Sequence, residues 1–144
     1  MANAIYPKWK EQLLQGTASA LLTGTGATGV YAALVDTAVY TYSAAHEFYD
    51  AGGAADVVDG IVGTPVEIGA TKAYTSGTFD GGDVTFTAVT GASCEAIVIF
   101  IKNAGAQTTW RLVSYQDTSV TGLPVTPNGG DITITWNASG IFTL

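Results

Sequence analysis

The sequence predicts an all-β fold: an antiparallel β-sandwich or a jelly-roll-like small barrel, with a short N-terminal helix or arm. From residue 29 onward, apolar and polar residues alternate in short segments that are bounded by Gly, Asn and Asp. About eight such segments follow one another at the spacing typical of sandwiches and small barrels. The 144 residues fit one domain. We therefore divide the chain into an N-terminal arm or helix with its linker, residues 1–27, and a β-domain, residues 28–144.

The N-terminal segment carries the signals of a short helix. Pro7 stands where the first helical residue is expected, and Gly16 stands where a residue just past the helix end is expected. Trp9 and Leu13 are four positions apart and share one helix face. That face either packs on the β-domain or reaches out as an arm. Residues 18–29, rich in Gly, Thr and Ala, predict a connector.

The strands are predicted from alternation and from the turn residues between them. Residues 95–102 are nearly continuous β-branched and aromatic side chains, which predicts a central strand covered on both faces. The sequence Asp80-Gly81-Gly82-Asp83 predicts a hairpin turn. Further strands are predicted at 30–37, 65–70, 72–79, 83–89, 108–117, 131–137 and 140–144, and the strand 108–117 is expected to pair with 95–102. Between the first two of these strands we predict a short extension at 39–42, a helical turn at 44–50 capped by Ser43, and a loop at 51–63.

Charge and composition exclude several classes of protein. The chain is 47% hydrophobic, 12% charged and has a formal net charge of −7, so we expect a folded protein that does not bind nucleic acid. The longest apolar run, residues 96–101, is far shorter than the roughly 18–20 residues that span a bilayer, so no membrane contact is expected. With Cys94 as the single cysteine and no secretory signal in residues 1–10, we expect synthesis in the cytoplasm.

Two motifs suggest cofactor or catalytic chemistry, and their context argues against both. Residues 24–29 match the dinucleotide pattern G-x-G-x-x-G, but a strand is predicted to follow them where that pattern needs a helix. We therefore expect a flexible loop and no cofactor. His46 lies near Ser43 and Glu47, yet no nucleophile elbow is present. A loop histidine is the favoured interpretation, and we expect no enzyme activity.

No metal site is predicted either. The turn Asp80–Asp83, with Asp56 and Asp59, places carboxylates in Gly-rich loops, but their spacing does not match a calcium-binding loop. Turn chemistry explains these residues better, although the sequence leaves a divalent ion at Asp80–Asp83 open. Cys94 is expected to be a small buried hydrophobic residue, and with His46 it provides too few ligands for zinc.

Three stretches of the β-domain carry a resemblance to a known family. They are residues 35–48, residues 77–89 and residues 122–132, and the patch Ile5-Tyr6-Pro7-Lys8 is similar too. Together they resemble a family of small structural proteins from tailed-bacteriophage and prophage virions, over residues 30 to 144, with residues 50–63 departing from the pattern.

The resemblance implies a non-enzymatic capsid decoration, or cement, protein on the outer surface of the virion. Such a protein binds the major capsid protein and itself, as a homo-oligomer such as a trimer. Two other roles stay open: a tail, neck or fibre-associated protein, and a host-glycan-binding module that stacks sugars on Tyr40, Tyr42 and Tyr49.

Aromatic and apolar side chains are the expected interface anchors, because aromatic residues dominate interface energetics. Tyr40, Tyr42, Phe48 and Tyr49 lie close together in the sequence around one loop. A corner of the hydrophobic core is an equally good interpretation of these four side chains. The predicted interface residues are Tyr6, Pro7, Trp9, Leu13, Tyr40, Tyr42, Phe48 and Tyr49.

Overall fold

Short antiparallel strands form most of the regular structure in the computed structural model, which describes residues 3–53, 56–69 and 71–144. The elements in chain order are β1 (Ala4–Ile5), α1 (Pro7–Leu14), β2 (Val30–Val35), β3 (Ile61–Glu67), β4 (Ala73–Thr75), β5 (Thr78–Asp80), β6 (Val84–Phe86), β7 (Ala96–Ile101), β8 (Arg111–Gln116), β9 (Ile132–Ile134) and β10 (Phe142–Thr143). Single 3-10 turns lie at Ala18–Ala20, Gly26–Thr28, Val57–Gly60 and Gln107–Thr109. The predicted all-β fold with a short N-terminal helix is confirmed.

The strands form three sheets. A five-stranded sheet has the order β1-β8-β7-β2-β3, a three-stranded sheet has the order β10-β5-β4, and β6 pairs with β9. All the named pairings are antiparallel. No helix among the described residues is long and apolar enough to cross a membrane.

The central strand β7 is buried on both faces, as the sequence predicts. Gln116, the register partner of Ile97, donates a hydrogen bond to the carbonyl of Ile141 just before β10 (2.8 Å), so that face looks toward the three-stranded sheet. The other face is covered by aromatic rings from residues 40–49. Tyr49, for example, packs 4.5 Å from Phe100 between ring centroids. The arrangement is sandwich-like, with the five-stranded sheet in the middle.

The N-terminal segment packs on the β-domain. Pro7 opens α1, and Gly16 follows its end with a φ of +71°, the left-handed conformation that glycine adopts most readily. Strand β1 pairs with β8, the Tyr6 amide donates to the carbonyl of Val113, and Trp9 is buried. In this chain the helix is therefore part of the core and not an extended arm.

The predicted hairpin at Asp80–Asp83 is wrong. Strand β5 pairs with β4 and β10, whereas β6 pairs with β9, so this turn carries the chain from one sheet to another. The hairpin lies earlier, at Ser76 and Gly77, whose φ angles of 53° and 77° are the positive values that a two-residue type I′ turn requires. Gly81 serves close packing instead, because a Cβ there would lie 2.4 Å from Cγ2 of Ile68.

The segment before β3 also differs from the prediction. Residues 44–50 form no helix, and residues 39–42 form no strand. Phe48 forms a β-bridge with Arg111, and the Tyr49 amide donates to the carbonyl of Trp110 (2.8 Å), because the aromatic side chains here pack onto the sheet. The predicted loop 51–63 contains a 3-10 turn and the start of β3, and its residues 54–55, like residue 70 of the predicted strand 65–70, lie outside the described residues.

Candidate functional site

An apolar groove lies at one end of the molecule, between α1, the segment that follows it, the β4–β5 hairpin and the C-terminus. Its volume is about 260 Å³. The lining residues are almost all apolar: Trp9, Leu13, Leu21, Leu22, Thr23, Tyr74, Gly77, Thr78, Phe79, Phe142 and Leu144. We refer to these residues as the apolar groove.

The floor of the apolar groove is a rigid aromatic cluster. Trp9 packs edge-to-face on Phe142 (centroids 5.6 Å apart, 84° between planes), and Phe142 contacts Phe79 at 5.3 Å. The indole N–H of Trp9 donates to the carbonyl of Ala20 (2.8 Å), which fixes the segment after α1 against the helix. Burial of this cluster holds the four bordering segments together.

The rim of the groove is exposed to solvent. Among the described residues, five large hydrophobic side chains are exposed, and three of them line the groove: Leu21 (51% exposed), Tyr74 (52%) and Leu144 (65%). Contiguous exposed apolar surface of this kind typically marks a site of contact with another molecule. The apolar groove is therefore the strongest candidate for an interface on this chain.

A second cluster joins four tyrosines and the only histidine. The hydroxyls of Tyr6 and Tyr40 are 2.8 Å apart, and the Tyr40 hydroxyl lies 2.9 Å from Nδ1 of His46. The rings of Tyr42 and Tyr115 pack around them. Tyr6 and Tyr40 are fully buried, so this hydrogen-bonded chain runs from the core to a half-buried imidazole.

The residues around His46 are not arranged as a Ser-His-acid triad. Nδ1 of His46 is bonded to Tyr40, the Ser43 hydroxyl accepts from the Ala45 amide (3.3 Å), and the Glu47 carboxylate pairs with Arg111. Each of the three candidate groups thus has a different partner. The geometry favours a structural role for the histidine.

Replacing Tyr40 by phenylalanine is expected to lower the free energy of unfolding by about 1–3 kcal/mol, because it leaves the buried Tyr6 hydroxyl and His46 Nδ1 without their shared partner. Replacing Tyr6 by phenylalanine is expected to cost less, because Tyr40 keeps its bond to His46. Urea denaturation of both variants measures the difference. Equal losses would contradict the central position of Tyr40 in the chain.

Burial raises the pKa values of several tyrosines. Desolvation is the main cause, and it raises the pKa values of Tyr40, Tyr49 and Tyr115 from 10.0 to about 12. The pKa of Tyr6 is also raised, first by burial and then by the neighbouring Tyr40. In each case the neutral phenol is favoured in the folded state.

Stability is therefore expected to fall as the pH rises from about 10 to about 12. In that range the unfolded chain releases phenol protons that the folded chain retains, so it binds fewer protons and stability decreases with pH. Below that range both states hold the protons, and the full stability is present. Urea midpoints measured across this range, alongside tyrosinate absorbance, test the expectation. Ionisation of all seven tyrosines near pH 10 while the chain is still folded would contradict it.

A third aromatic cluster lies beside β7. Lys102 Nζ is 4.6 Å from the ring centroids of both Tyr31 and Trp110, and the Arg111 guanidinium lies 5.0 Å from the ring of Phe48. The Trp110 ring stacks on Phe100, which continues the cluster into the core. The contact between Arg111 and Phe48 holds the segment around Phe48 against β8.

The acidic turns use their carboxylates on the backbone. Asp80 accepts from the Gly81 amide (2.9 Å), and Asp83 accepts from the Trp136 amide (3.0 Å). Asp56 and Asp59 form a reciprocal capping box at the 3-10 turn Val57–Gly60. Across residues 3–53, 56–69 and 71–144, no group of three or more His, Cys, Asp or Glu side chains is placed to hold a metal ion.

Two further sequence features have structural roles. Cys94 is buried, as predicted, and burial raises the pKa of its thiol to about 11. Residues 24–29 contain the 3-10 turn Gly26–Thr28, and β2 follows directly, as the sequence predicts. A strand thus stands where a dinucleotide site would need a helix N-terminus.

The predicted interface residues lie in three places and do not form one surface. Trp9 and Leu13 belong to the apolar groove, and Pro7 is the first residue of α1. Of the others, Tyr6, Tyr40 and Tyr42 belong to the tyrosine cluster, and Phe48 and Tyr49 pack beside β7 and β8. Tyr6, Trp9, Tyr40 and Tyr49 are buried in the chain's own core, and Pro7, Leu13, Tyr42 and Phe48 are half-buried. That these eight residues contact another molecule stays a prediction. In this conformation only the four half-buried side chains have surface that a partner could contact.

The exposed rim of the groove was not predicted from the sequence. Leu14 follows Leu13 directly, so on a helix it falls about 100° away from the face that Trp9 and Leu13 share. A single exposed apolar residue is common on protein surfaces, so this position alone does not predict an interface. Leu21, Tyr74 and Leu144 join the rim only through the tertiary fold.

Comparison with models of known protein families gives no match. Comparison with curated proteins gives no match either.

Proposed function

We propose that this protein is a non-enzymatic structural protein of a tailed-bacteriophage virion, and specifically a decoration protein that stabilises the capsid shell from outside. The observation that carries the proposal is the exposed rim of the apolar groove, where Leu21, Tyr74 and Leu144 face solvent. A surface of this kind is stabilised when a partner covers it. The resemblance of residues 35–48, 77–89 and 122–132 to phage virion proteins indicates the major capsid protein as that partner.

The lysines on the elements that border the groove do not turn it into a charged site. Three of the chain's five basic residues, Lys8, Lys10 and Lys72, lie on α1 or next to β4, although the formal net charge of the chain is −7. Lys8 pairs with Glu11 (3.0 Å), and Lys72 donates to the Gly24 carbonyl (2.7 Å). Two of these three ammonium groups already have partners within the chain, which leaves the apolar side chains as the expected contact.

Of the other roles, the host-glycan module based on Tyr40, Tyr42 and Tyr49 has the least support. The rings of Tyr40 and Tyr49 are buried, so the three do not form an exposed stacking platform. A tail or neck protein would use the apolar groove equally well. Copy number separates that role from a shell protein, because a shell offers many more equivalent binding positions.

The test is the number of copies per particle, measured by quantitative mass spectrometry of purified virions that contain this chain, relative to their major capsid protein. We expect hundreds of copies. Six, twelve or a small multiple would assign the protein to the tail or neck instead. Absence from purified particles would contradict both structural roles.

A further inference from the structure

We propose that His46 and two buried tyrosines, Tyr6 and Tyr40, form a pH-sensitive switch that moves the turn at residues 43–46 away from the core when the imidazole gains a proton. This inference goes beyond the proposed function and does not rest on it. The hydroxyls of Tyr6 and Tyr40 are 2.8 Å apart, and the Tyr40 hydroxyl lies 2.9 Å from Nδ1 of His46. The three groups therefore form a hydrogen-bonded chain with two junctions, and each junction holds one proton.

The buried inner end of this hydrogen-bonded chain fixes the direction of both bonds. Tyr6 is fully buried, and the Tyr40 hydroxyl is the hydrogen-bond partner of its hydroxyl. Because a buried O–H without an acceptor costs free energy, the Tyr6 hydroxyl donates to Tyr40. Tyr40 is also fully buried, and its own proton goes to Nδ1 of His46. In this arrangement the imidazole is neutral and carries its proton on Nε2.

A second proton on the imidazole does not fit this arrangement. In the charged form both ring nitrogens are donors, so two phenol protons and the Nδ1 proton share two junctions. Either one buried phenol proton is left without an acceptor, or the imidazole moves away from Tyr40. The second response keeps the charge in water, because His46 is half-buried and the preceding Ala44 and Ala45 are exposed. Protonation therefore favours release of the turn.

The turn can move without disturbing the rest of the fold. On one side of it, the ring of Tyr42 packs on Tyr6, with ring centroids 5.1 Å apart. On the other side, the carbonyl of Glu47 accepts from the Leu112 amide of β8 (3.0 Å). Between these fixed points, the His46 amide donates to the Ser43 carbonyl within the turn itself (3.1 Å). A change at His46 can thus be taken up within four residues.

The titratable and charged groups around the hydrogen-bonded chain lie on the same segment, on or after β8, and just before β7: Tyr42, Glu47, Glu95, Arg111, Tyr115 and Asp117. Burial raises the pKa values of the two phenols, which are therefore neutral near pH 7. Glu47 pairs with Arg111. Among the described residues, no carboxylate bonds to the imidazole, so its bond to Tyr40 is the contact that responds to its charge.

The sign of the effect follows from the proton count. Histidine ordinarily gains its charge between about pH 8 and about pH 5. In that range the unfolded chain takes up a proton more readily than the folded chain, whose Nδ1 accepts from Tyr40. The unfolded state then binds more protons, so this contribution to stability is lost as the pH falls.

The first test is NMR of the full-length chain, whose single histidine gives one set of imidazole signals. At about pH 8, where histidine is ordinarily neutral, we expect the Nε2–H tautomer in long-range proton–nitrogen spectra. As the pH falls, the amide signals of Ala45 and His46 should shift in step with the imidazole signals. A neutral imidazole with its proton on Nδ1, or amide signals that do not follow the imidazole, would overturn the proposal.

The second test compares the parent chain with His46→Asn by urea denaturation. The asparagine side-chain oxygen can accept from Tyr40 but does not titrate. Between about pH 8 and about pH 5, the unfolding equilibrium constant should rise about tenfold more in the parent than in His46→Asn, the value of one buried hydrogen bond. Tyr40→Phe keeps the histidine but removes its partner, so this extra pH dependence should disappear. Equal pH dependence in the parent and in His46→Asn would also overturn the proposal.

Discussion

Replacing Trp9 by alanine is expected to lower the free energy of unfolding by about 3–5 kcal/mol, the usual cost of deleting a large buried aromatic side chain. Trp9 is 1% exposed and forms the floor of the apolar groove against Phe142. Its removal also leaves the Ala20 carbonyl without the indole N–H. Small domains are stable by about 5–15 kcal/mol in total, so this one change consumes a large share of the stability.

The neighbouring Leu14 provides the matched control for this prediction. It lies on the same helix but is 89% exposed, so Leu14→Ala is expected to change stability by less than about 0.5 kcal/mol. Trp9→Phe keeps an aromatic ring but loses the hydrogen bond to the Ala20 carbonyl. Its loss of unfolding free energy is therefore expected to lie between those of Trp9→Ala and Leu14→Ala. Urea denaturation followed by far-ultraviolet circular dichroism gives all three values. If Trp9→Ala and Leu14→Ala unfold at the same urea concentration, α1 is not part of the core.

The elements predicted correctly are those whose signals are local. Pro7 and Gly16 bound a helix through their own backbone preferences, which do not depend on distant residues. Strand β7 is recognisable because a strand covered on both faces needs apolar residues at every position. Its pairing with β8 follows from the short connection between them, since consecutive strands commonly pair.

The errors arise where one local signal fits two tertiary arrangements. A Gly-rich acidic turn such as Asp80–Asp83 serves a hairpin and a crossover between sheets equally well, and only the pairing of β5 with β10 decides between them. That partner lies more than sixty residues further along the chain. The aromatic residues at 40–49 are a second example. Their sequence is compatible both with burial in a corner of the core and with an exposed platform that stacks on a ligand.

Only part of the candidate site could be predicted from the sequence, for a related reason. Trp9 and Leu13 stand out by helical spacing, so their joint position in the apolar groove could be expected once α1 was placed. Leu21, Tyr74 and Leu144 are single apolar residues in different segments, and no sequence pattern connects them. Similarly, His46 looks like an ordinary loop residue until the structure shows its Nδ1 bonded to Tyr40.

Placing aspartate at both Leu21 and Leu144 is expected to weaken binding to the capsid shell by at least about a hundredfold, if the apolar groove is the contact of the proposed decoration protein. Two charges on the rim would have to lose water when the partner covers them, which costs free energy. Because these side chains are 51% and 65% exposed, the double variant should fold normally. Co-sedimentation with shells that lack the protein measures the affinity.

Val39→Asp is the control that decides whether the groove itself is responsible. Val39 is also an exposed apolar side chain, at 46%, but it does not line the groove, so the same change of chemistry should leave binding intact. An apolar contact should in addition depend little on salt, whereas a contact made by Lys8 and Lys10 would weaken as salt increases. Loss of binding in Val39→Asp but not in the double variant would place the shell contact elsewhere on the molecule. If the double variant still binds the shell and its binding weakens strongly as salt increases, the contact is made by the lysines of α1 and not by the leucines.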